Sequence, residues 1–583
     1  SGAVMAAMQA EMPLGLWVYS AATSSDRYVL TVAEERGTWV AAVQGEPADI
    51  VVAGDEITIH TTAGQSFTGQ VGASGTAIEG YWEQGANEFA YSRMVTRVRL
   101  EPVGPNRWQG EVQAQPRPFT VFLDVFADAD GQVAAVLRNP ERNEILAARF
   151  RVEATGERQW DLIAGSGDNA LRLPFSQSGL AQLTLAHPWF DRPLMMRPAS
   201  AKDARRYFPR TPQNAAVRAA PPPLSDDDWR VIGPRESGYD RALLDALVQA
   251  LAAEDPRSTR PRMVHAMLIA HRGRLLFEEY FYGHDRATRH DTRSLAKVFG
   301  PIMVGALRQQ GSDIDPDDRI VTEVLADAGE TSTDPRKSDI TLGQLMSYTS
   351  GLDCDAGTPT SRGSEDNMWS QEDEQNFWRF TARLPLLYDP GTRYAYCSGS
   401  INMAGASISA ASGLPVFETF ERLLARPLGF ATYHWNLAPN GAGYLGGGVY
   451  LRPRDILKLG AMYAAGGEWR GQRIVSGAWV TESTRARIDI SPATTRLSQE
   501  AFNSNYFGGQ QAYVWRRDVV NTAGRTYASY EATGNGGQIL LVVPELELAV
   551  VFTGGNYRWG SIWGRWRDEF VGAYVIPAIL PDS

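Results

Sequence analysis

At 583 residues and 64.0 kDa the chain exceeds what one hydrophobic core supports, so two or more domains are expected. A formal charge of -11 and a pI near 5.3 exclude the basic face that nucleic-acid binding requires. Hydrophobic residues at 43% and charged residues at 21% suit a soluble globular protein, and no apolar run nears the roughly 20 residues of a membrane-spanning helix.

The two cysteines, Cys354 and Cys397, exclude a disulfide framework and a cysteine zinc site but leave one bridge open. The chain opens Ser1-Gly2-Ala3, as after removal of a secretion signal or as an expression scar, and a periplasmic or secreted enzyme is expected. Lys202, Lys297, Lys337 and Lys458 are the only lysines among 56 basic residues. Arginine does not release its proton in proteins, so a basic catalyst must come from these four.

Residues 1–208 read as β-structure, with alternating runs such as Arg27–Val32, Glu56–His60 and Phe119–Val125, and Asp130-Gly131 marks a hairpin. Gly37-Thr38-Trp39-Val40-Ala41-Ala42-Val43 echoes Gly131-Gln132-Val133-Ala134-Ala135-Val136-Leu137, and a Trp-containing start (Trp17, Trp108) lies upstream of each. Two related modules, sandwich or barrel, are predicted. Asp124, Asp128 and Asp130 lack EF-hand spacing and read as a solvated hairpin.

Residues 209–228, with Pro221-Pro222-Pro223, form an extended linker. From 229 to 583 the periodicity changes. Asp240 caps a helix that places Leu243, Leu244, Leu247, Val248 and Leu251 on one face. Two strands follow, Ala266–Ala270 and Leu275–Phe277, then helices from Ser294 to about residue 430. Strands Gly537–Val543 and Leu546–Phe552 and a helix from about Ser561 close the chain.

Ser294-Leu295-Ala296-Lys297 carries the chemistry. At i and i+3 on a helix a lysine amine reaches the serine hydroxyl and activates it as a nucleophile. With four lysines, chance alone supplies one such spacing about one time in four, so the setting decides. Tyr396, in Pro390-Gly391-Thr392-Arg393-Tyr394-Ala395-Tyr396-Cys397-Ser398, is a candidate proton shuttle; the competing reading is a half-buried core tyrosine. Gly534-Asn535-Gly536-Gly537-Gln538 leads into a strand whose edge N–H groups can form an oxyanion hole. Gly441-Ala442-Gly443-Tyr444-Leu445-Gly446 matches a dinucleotide fingerprint, but Val449–Pro453 follows where a helix is needed. No G-x-S-x-G or H-E-x-x-H occurs. Trp369, Phe377, Trp378 and Phe380 suit a hydrophobic acyl site, though a core role is expected for most.

Together these pieces resemble the serine β-lactamase and penicillin-binding-protein superfamily, in its class C-like esterase branch with the 6-aminohexanoate-dimer hydrolases. Ile340-Thr341-Leu342-Gly343-Gln344-Leu345-Met346-Ser347-Tyr348-Thr349-Ser350-Gly351-Leu352, Pro427–Phe430, Leu451–Ile456 and Val543–Leu548 support the likeness over about 229–583. It implies all-β N-terminal modules followed by an α/β β-lactamase-like domain with an antiparallel sheet and a helical subdomain. It implies Ser294 as acylated nucleophile, Lys297 as base and Tyr396 as shuttle. Ser398 would stand where the family has Asn or Ser, Asn535-Gly536-Gly537 would be the third motif, and the Ser294 and Gln538 N–H groups would form the oxyanion hole. No cofactor or metal is implied, the partner is a small ester, amide or peptide-like substrate, and the oligomeric state stays open. Asn535 replaces a lysine that holds substrate carboxylates in the family, which favours esters or uncharged-end amides over β-lactams and D-amino-acid peptides. A non-enzymatic ligand-binding relative is the other alternative. Gly300-Pro301 predicts a kink just after Lys297.

Overall fold

The computed structural model describes residues 12–580, apart from 22–26, 73–75, 87–91, 117, 145–147, 180, 211–216, 234–235, 357, 497, 505–507 and 561. The N-terminal β-region consists of two closed barrels. In the first, eight strands run as a meander from Arg27–Glu35 to Arg107–Gln113, and the last pairs back on the first from Arg27↔Gln113 to Ala33↔Arg107. Period-two alternation fills it: Ile57 and Ile59 are buried while Glu56 and His60 of the same strand face solvent. Leu30, Phe67, Trp82 and Leu100 complete the plug.

Seven strands from Thr120–Ala127 to Leu194–Pro198 build the second barrel, and its eighth is Gly15–Ser20, inserted with Trp17 opposite both Leu123 and Pro198. The two echoed segments thus occupy the same place, the second strand of each leading hairpin. The two Trp-containing strands are traded. Gly15–Ser20 precedes the first barrel in sequence but closes the second, and Arg107–Gln113 closes the first. Asp124 accepts from Tyr207 and pairs with Arg257, and Asp128 caps its own hairpin turn.

The segment after the barrels is bound rather than free. Pro212 lies outside the described residues, but from Val217 onward the backbone donates to Gln249, Asp245 and Glu279. The second domain is built on an eight-stranded antiparallel sheet. In spatial order its main strands are Arg274–Tyr280, Val264–His271, Leu548–Gly554, Gln538–Val543, Arg525–Gly534 and Arg516–Thr522. Chain ends supply the sheet and the middle supplies helices. One face carries helix Arg241–Ala252, capped by Asp240 with Leu244, Leu247, Val248 and Leu251 buried, beside the C-terminal helical stretch from Ile562. The other face packs on helices Phe299–Gln309, Ser398–Ser412 and Pro453–Ala464. Among the described residues no helix is long and apolar enough to cross a membrane.

The barrels are seated on this domain. Met94 and Val95 of the first barrel pair with Asn436 and Trp435, and Arg138 of the second donates from Nε to Pro256 O at 2.8 Å.

Candidate active site

Ser294 and Lys297 lie on a 3₁₀ turn, Arg293–Val298, and the α-helix starts only at Phe299. The turn sharpens the expected geometry, because residues i and i+3 eclipse in a 3₁₀ helix. Pro301 produces no mid-helix break: it falls in the first turn of the α-helix, where N–H groups have no intrahelical acceptor. Lys297 is fully buried, and its Nζ donates to Ser294 Oγ at 2.8 Å and to Gly446 O. Arg293, immediately before Ser294, holds a left-handed φ of 48°. Such strain persists where surrounding contacts fix it; here Arg293 N donates to Asp291 Oδ1 at 2.9 Å and Gly448 N to Arg293 O at 3.1 Å.

Tyr396 joins the pair: Lys297 Nζ stands 5.2 Å from its ring centroid. The adjacent Cys397 is disulfide-bonded to Cys354, which closes the question the sequence left open and ties the Tyr396–Ser398 backbone to the preceding loop. Ser398 opens helix Ser398–Ser412 and donates to Glu365 Oε2 at 3.1 Å, while Tyr444 OH donates to Glu365 Oε1 at 2.5 Å. Burial, reinforced by the Glu365 charge, holds the Tyr444 phenol well above its ordinary pKa.

The glycine-rich strand end is held by a set of close contacts. Gly534 packs on Thr292, and a Cβ there would run into Thr292 O. Asn535 Oδ1 accepts from Arg558 N at 2.8 Å, and Gly536 O accepts from Asn556 N. Gly537 lies against Trp566, and the fully buried Gln538 side chain donates to Gly554 O at 2.7 Å and to Asn535 O at 3.1 Å. Gly536, Gly537 and the Gln538 side chain therefore brace the hairpin, and Gly534 meets the Ser294 turn at Thr292 O.

Glu365, Tyr444, Arg293 and the Gly446 carbonyl escaped the sequence reading. The dismissed glycine run 441–446 was the one signal for two of them. Phe377 packs with Met368 and Tyr444 in a small core cluster edged by Trp369 and Phe380, and half-buried Trp378 packs against the main core, in keeping with the core role expected for most of them. Among the described residues no group of three or more His, Cys, Asp or Glu side chains is placed to hold a metal.

The profile of the Beta-lactamase family matches residues 244–554. A 6-aminohexanoate-dimer hydrolase of Paenarthrobacter ureafaciens is 25% identical over 313 residues, 53% of this chain and 76% of that protein. Among solved structures, a penicillin-binding protein homologue from Caulobacter crescentus is similar at 14% identity and TM-score 0.45, covering 60% of this chain and 99% of that one. A family VIII carboxylesterase is similar at 17% identity and TM-score 0.42, covering 56% and 93%.

Proposed function

Because the chain belongs to the beta-lactamase family of hydrolases, we propose that it cleaves an ester or amide through a covalent acyl intermediate on Ser294. The 2.8 Å hydrogen bond between buried Lys297 and Ser294 carries this reading. As Ser294 Oγ adds to the substrate carbonyl carbon, its proton passes to the Lys297–Tyr396 pair. The same proton is returned to the leaving alcohol or amine as the scissile bond breaks. Water then adds to the acyl carbon, gives up a proton to the pair, and releases the acid with Ser294 restored. The Ser294 and Gln538 N–H groups are the donors assigned to the developing oxyanion. The Gln538 side chain and Ser398 act from behind, the first by bracing the hairpin and Ser398 by fixing Glu365.

The Cys354–Cys397 bridge supports a periplasmic or secreted location, since such bonds persist in oxidising compartments. Ser294→Ala is expected to abolish hydrolysis of p-nitrophenyl esters and labelling by a serine-directed phosphonate. Persistent labelling of that variant would remove the assignment.

A further inference from the structure

Lys297 and Tyr396 come from distant segments, and one carboxylate reaches the surroundings of both. Glu365 Oε2 accepts from Ser398 Oγ at 3.1 Å, two residues beyond Tyr396, and Oε1 accepts from Tyr444 OH at 2.5 Å. The Tyr444 ring lies against Gly446, where a Cβ would run into its hydroxyl end, and the Gly446 carbonyl receives the Lys297 amine. One arm of Glu365 therefore ends beside Tyr396 and the other on the acceptor of Lys297. Tyr444 remains a donor, because burial and then the Glu365 charge hold its phenol well above the ordinary pKa.

Glu365 sits on a braced segment that runs from Asp353 to Ser370. Its root is the Cys354–Cys397 bridge, and Ala356 N donates to Tyr396 O at 2.9 Å. Ser361 Oγ donates to Asp353 Oδ1 at 3.0 Å and accepts from Asp355 N at 2.7 Å. Ser364 caps helix Glu365–Ser370 by accepting from Asn367 N at 3.3 Å, and Met368 of that helix is buried. A side chain on such a support keeps its geometry. A second tie lies in the interior: buried Asn402, on the helix that starts at Ser398, accepts from Leu445 N at 2.9 Å. The Tyr396 and Gly446 segments are thus joined twice, by Asn402 inside and by half-buried Glu365 nearer the surface.

The Glu365 charge also reaches Arg293. Burial disfavours the Arg293 guanidinium, and Asp291, Tyr557 and then Glu365 more than offset this. Geometry and charge are therefore two ways for Glu365 to act. Both its oxygens receive neutral hydroxyl donors that join the two segments, and among the described residues it forms no ion pair, which favours geometry.

We propose that Glu365 is a positioning residue whose carboxylate clamps the Tyr396 and Gly446 segments together and so sets the place of Tyr396 relative to the Lys297 amine. The clamp rests on the acyl-Ser294 reading, in which those two groups pass the Ser294 proton. Without it the 5.2 Å between Lys297 Nζ and the Tyr396 ring centroid is no longer fixed, and proton transfer slows while substrate binding is spared.

The test is steady-state hydrolysis of p-nitrophenyl butyrate. Glu365→Ala is expected to lower kcat about thirtyfold or more with KM within about threefold, the scale of two lost hydrogen bonds to a charged group. In Glu365→Gln the amide oxygen accepts from Tyr444 and the NH2 donates to Ser398 Oγ, so kcat is expected within about threefold of wild type. Tyr444→Phe cuts one arm and is expected to lower kcat about tenfold. Added to Glu365→Ala, it is expected to cost less than about twofold more, because both changes remove one shared interaction. A Glu365→Gln variant as slow as Glu365→Ala assigns the effect to charge and overturns the clamp. Multiplying losses in the double variant, or a loss confined to KM, overturn it too. Should Glu365→Ala fail to fold, Tyr444→Phe removes a single oxygen, and an unchanged kcat there overturns the clamp. A wild type that neither cleaves the ester nor takes up a serine-directed phosphonate strikes the acyl-Ser294 reading instead.

Discussion

Ser92 of the first barrel donates from Oγ to Asn436 Oδ1 at 2.9 Å. Asn436 Nδ2 in turn donates to Gly447 O at 3.4 Å, next to the Gly446 carbonyl that receives the Lys297 amine. The barrel thus steadies the backbone that aims the Lys297 amine. Asn436→Ala is expected to lower kcat about tenfold, the scale of one lost positioning hydrogen bond. KM should move less, and Ser92→Ala should show a smaller effect of the same sign. Steady-state ester kinetics checks this, and a loss confined to KM speaks against it.

The Cys354–Cys397 bridge spans 43 positions and ends beside Tyr396. Thiol titration of the unfolded protein should find no free thiol before reduction and two after it. Cys354→Ser should lose roughly 2–4 kcal/mol of stability by urea melt, as expected for a loop of this kind. Its kcat should also fall, because the Tyr396 backbone loses its tether.

Gly534 is fixed by its neighbour. An alanine there must push the strand end off Thr292, and a displacement near 1 Å costs on the order of a hundredfold in rate. Gly534→Ala is therefore expected to lose most of its kcat while keeping its melting temperature within a few degrees. A fully active variant would detach this strand end from the site.

Acid should loosen the seat of the second domain. Buried His265 and His290 and half-buried His284 form a cluster, with His265 stacked on His284 at 4.2 Å and its Nδ1 2.8 Å from His290 Nε2. Burial first, then repulsion from neighbouring cationic groups, holds the His265 and His284 pKa values well below the ordinary 6.5, and burial lowers His290. A depressed folded-state pKa means that the unfolded chain takes up more protons on acidification. The contribution is thus complete above about pH 6.5 and is lost as pH falls from there through the folded values. His284→Phe keeps a ring in the stack and removes one titrating group. Its melting temperature should decline less steeply between pH 6.5 and 4.5 than that of the wild type; equal slopes would exclude this origin.

What was legible in the chain was mostly local. The Ser294–Lys297 spacing, the Asp240 cap and the alternation of Glu56–His60 depend on neighbours a few residues apart, and each is found. The 3₁₀ form of the Ser294 turn was hidden because both helix types bring i and i+3 together. Gly534 could not be told from Gly536 or Gly537 by composition. Only contact with Thr292, 242 positions earlier, separates them. Glu365, Tyr444 and Gly446 come from distant segments that only the folded helices gather. The duplicated barrel signal was readable in Trp17 and Trp108, but which barrel each strand would enter was not, since either offers the same alternating slot.

That trade of Trp-bearing strands interlocks the two barrels in time as well as space. Gly15–Ser20 leaves the ribosome before the other strands of both barrels, yet its slot is complete only when Leu194–Pro198 has been made. Until then Gly15–Ser20 is an unplaced guest, and the second barrel has a gap between Thr120–Ala127 and Leu194–Pro198. The second barrel is not a severable part: a cut after Arg107–Gln113 leaves its closing strand Gly15–Ser20 on the wrong side. Trimming the first twenty residues would leave the first barrel intact and unzip the second, the one that Arg138 seats on the hydrolase domain, exposing two raw edges open to foreign pairing.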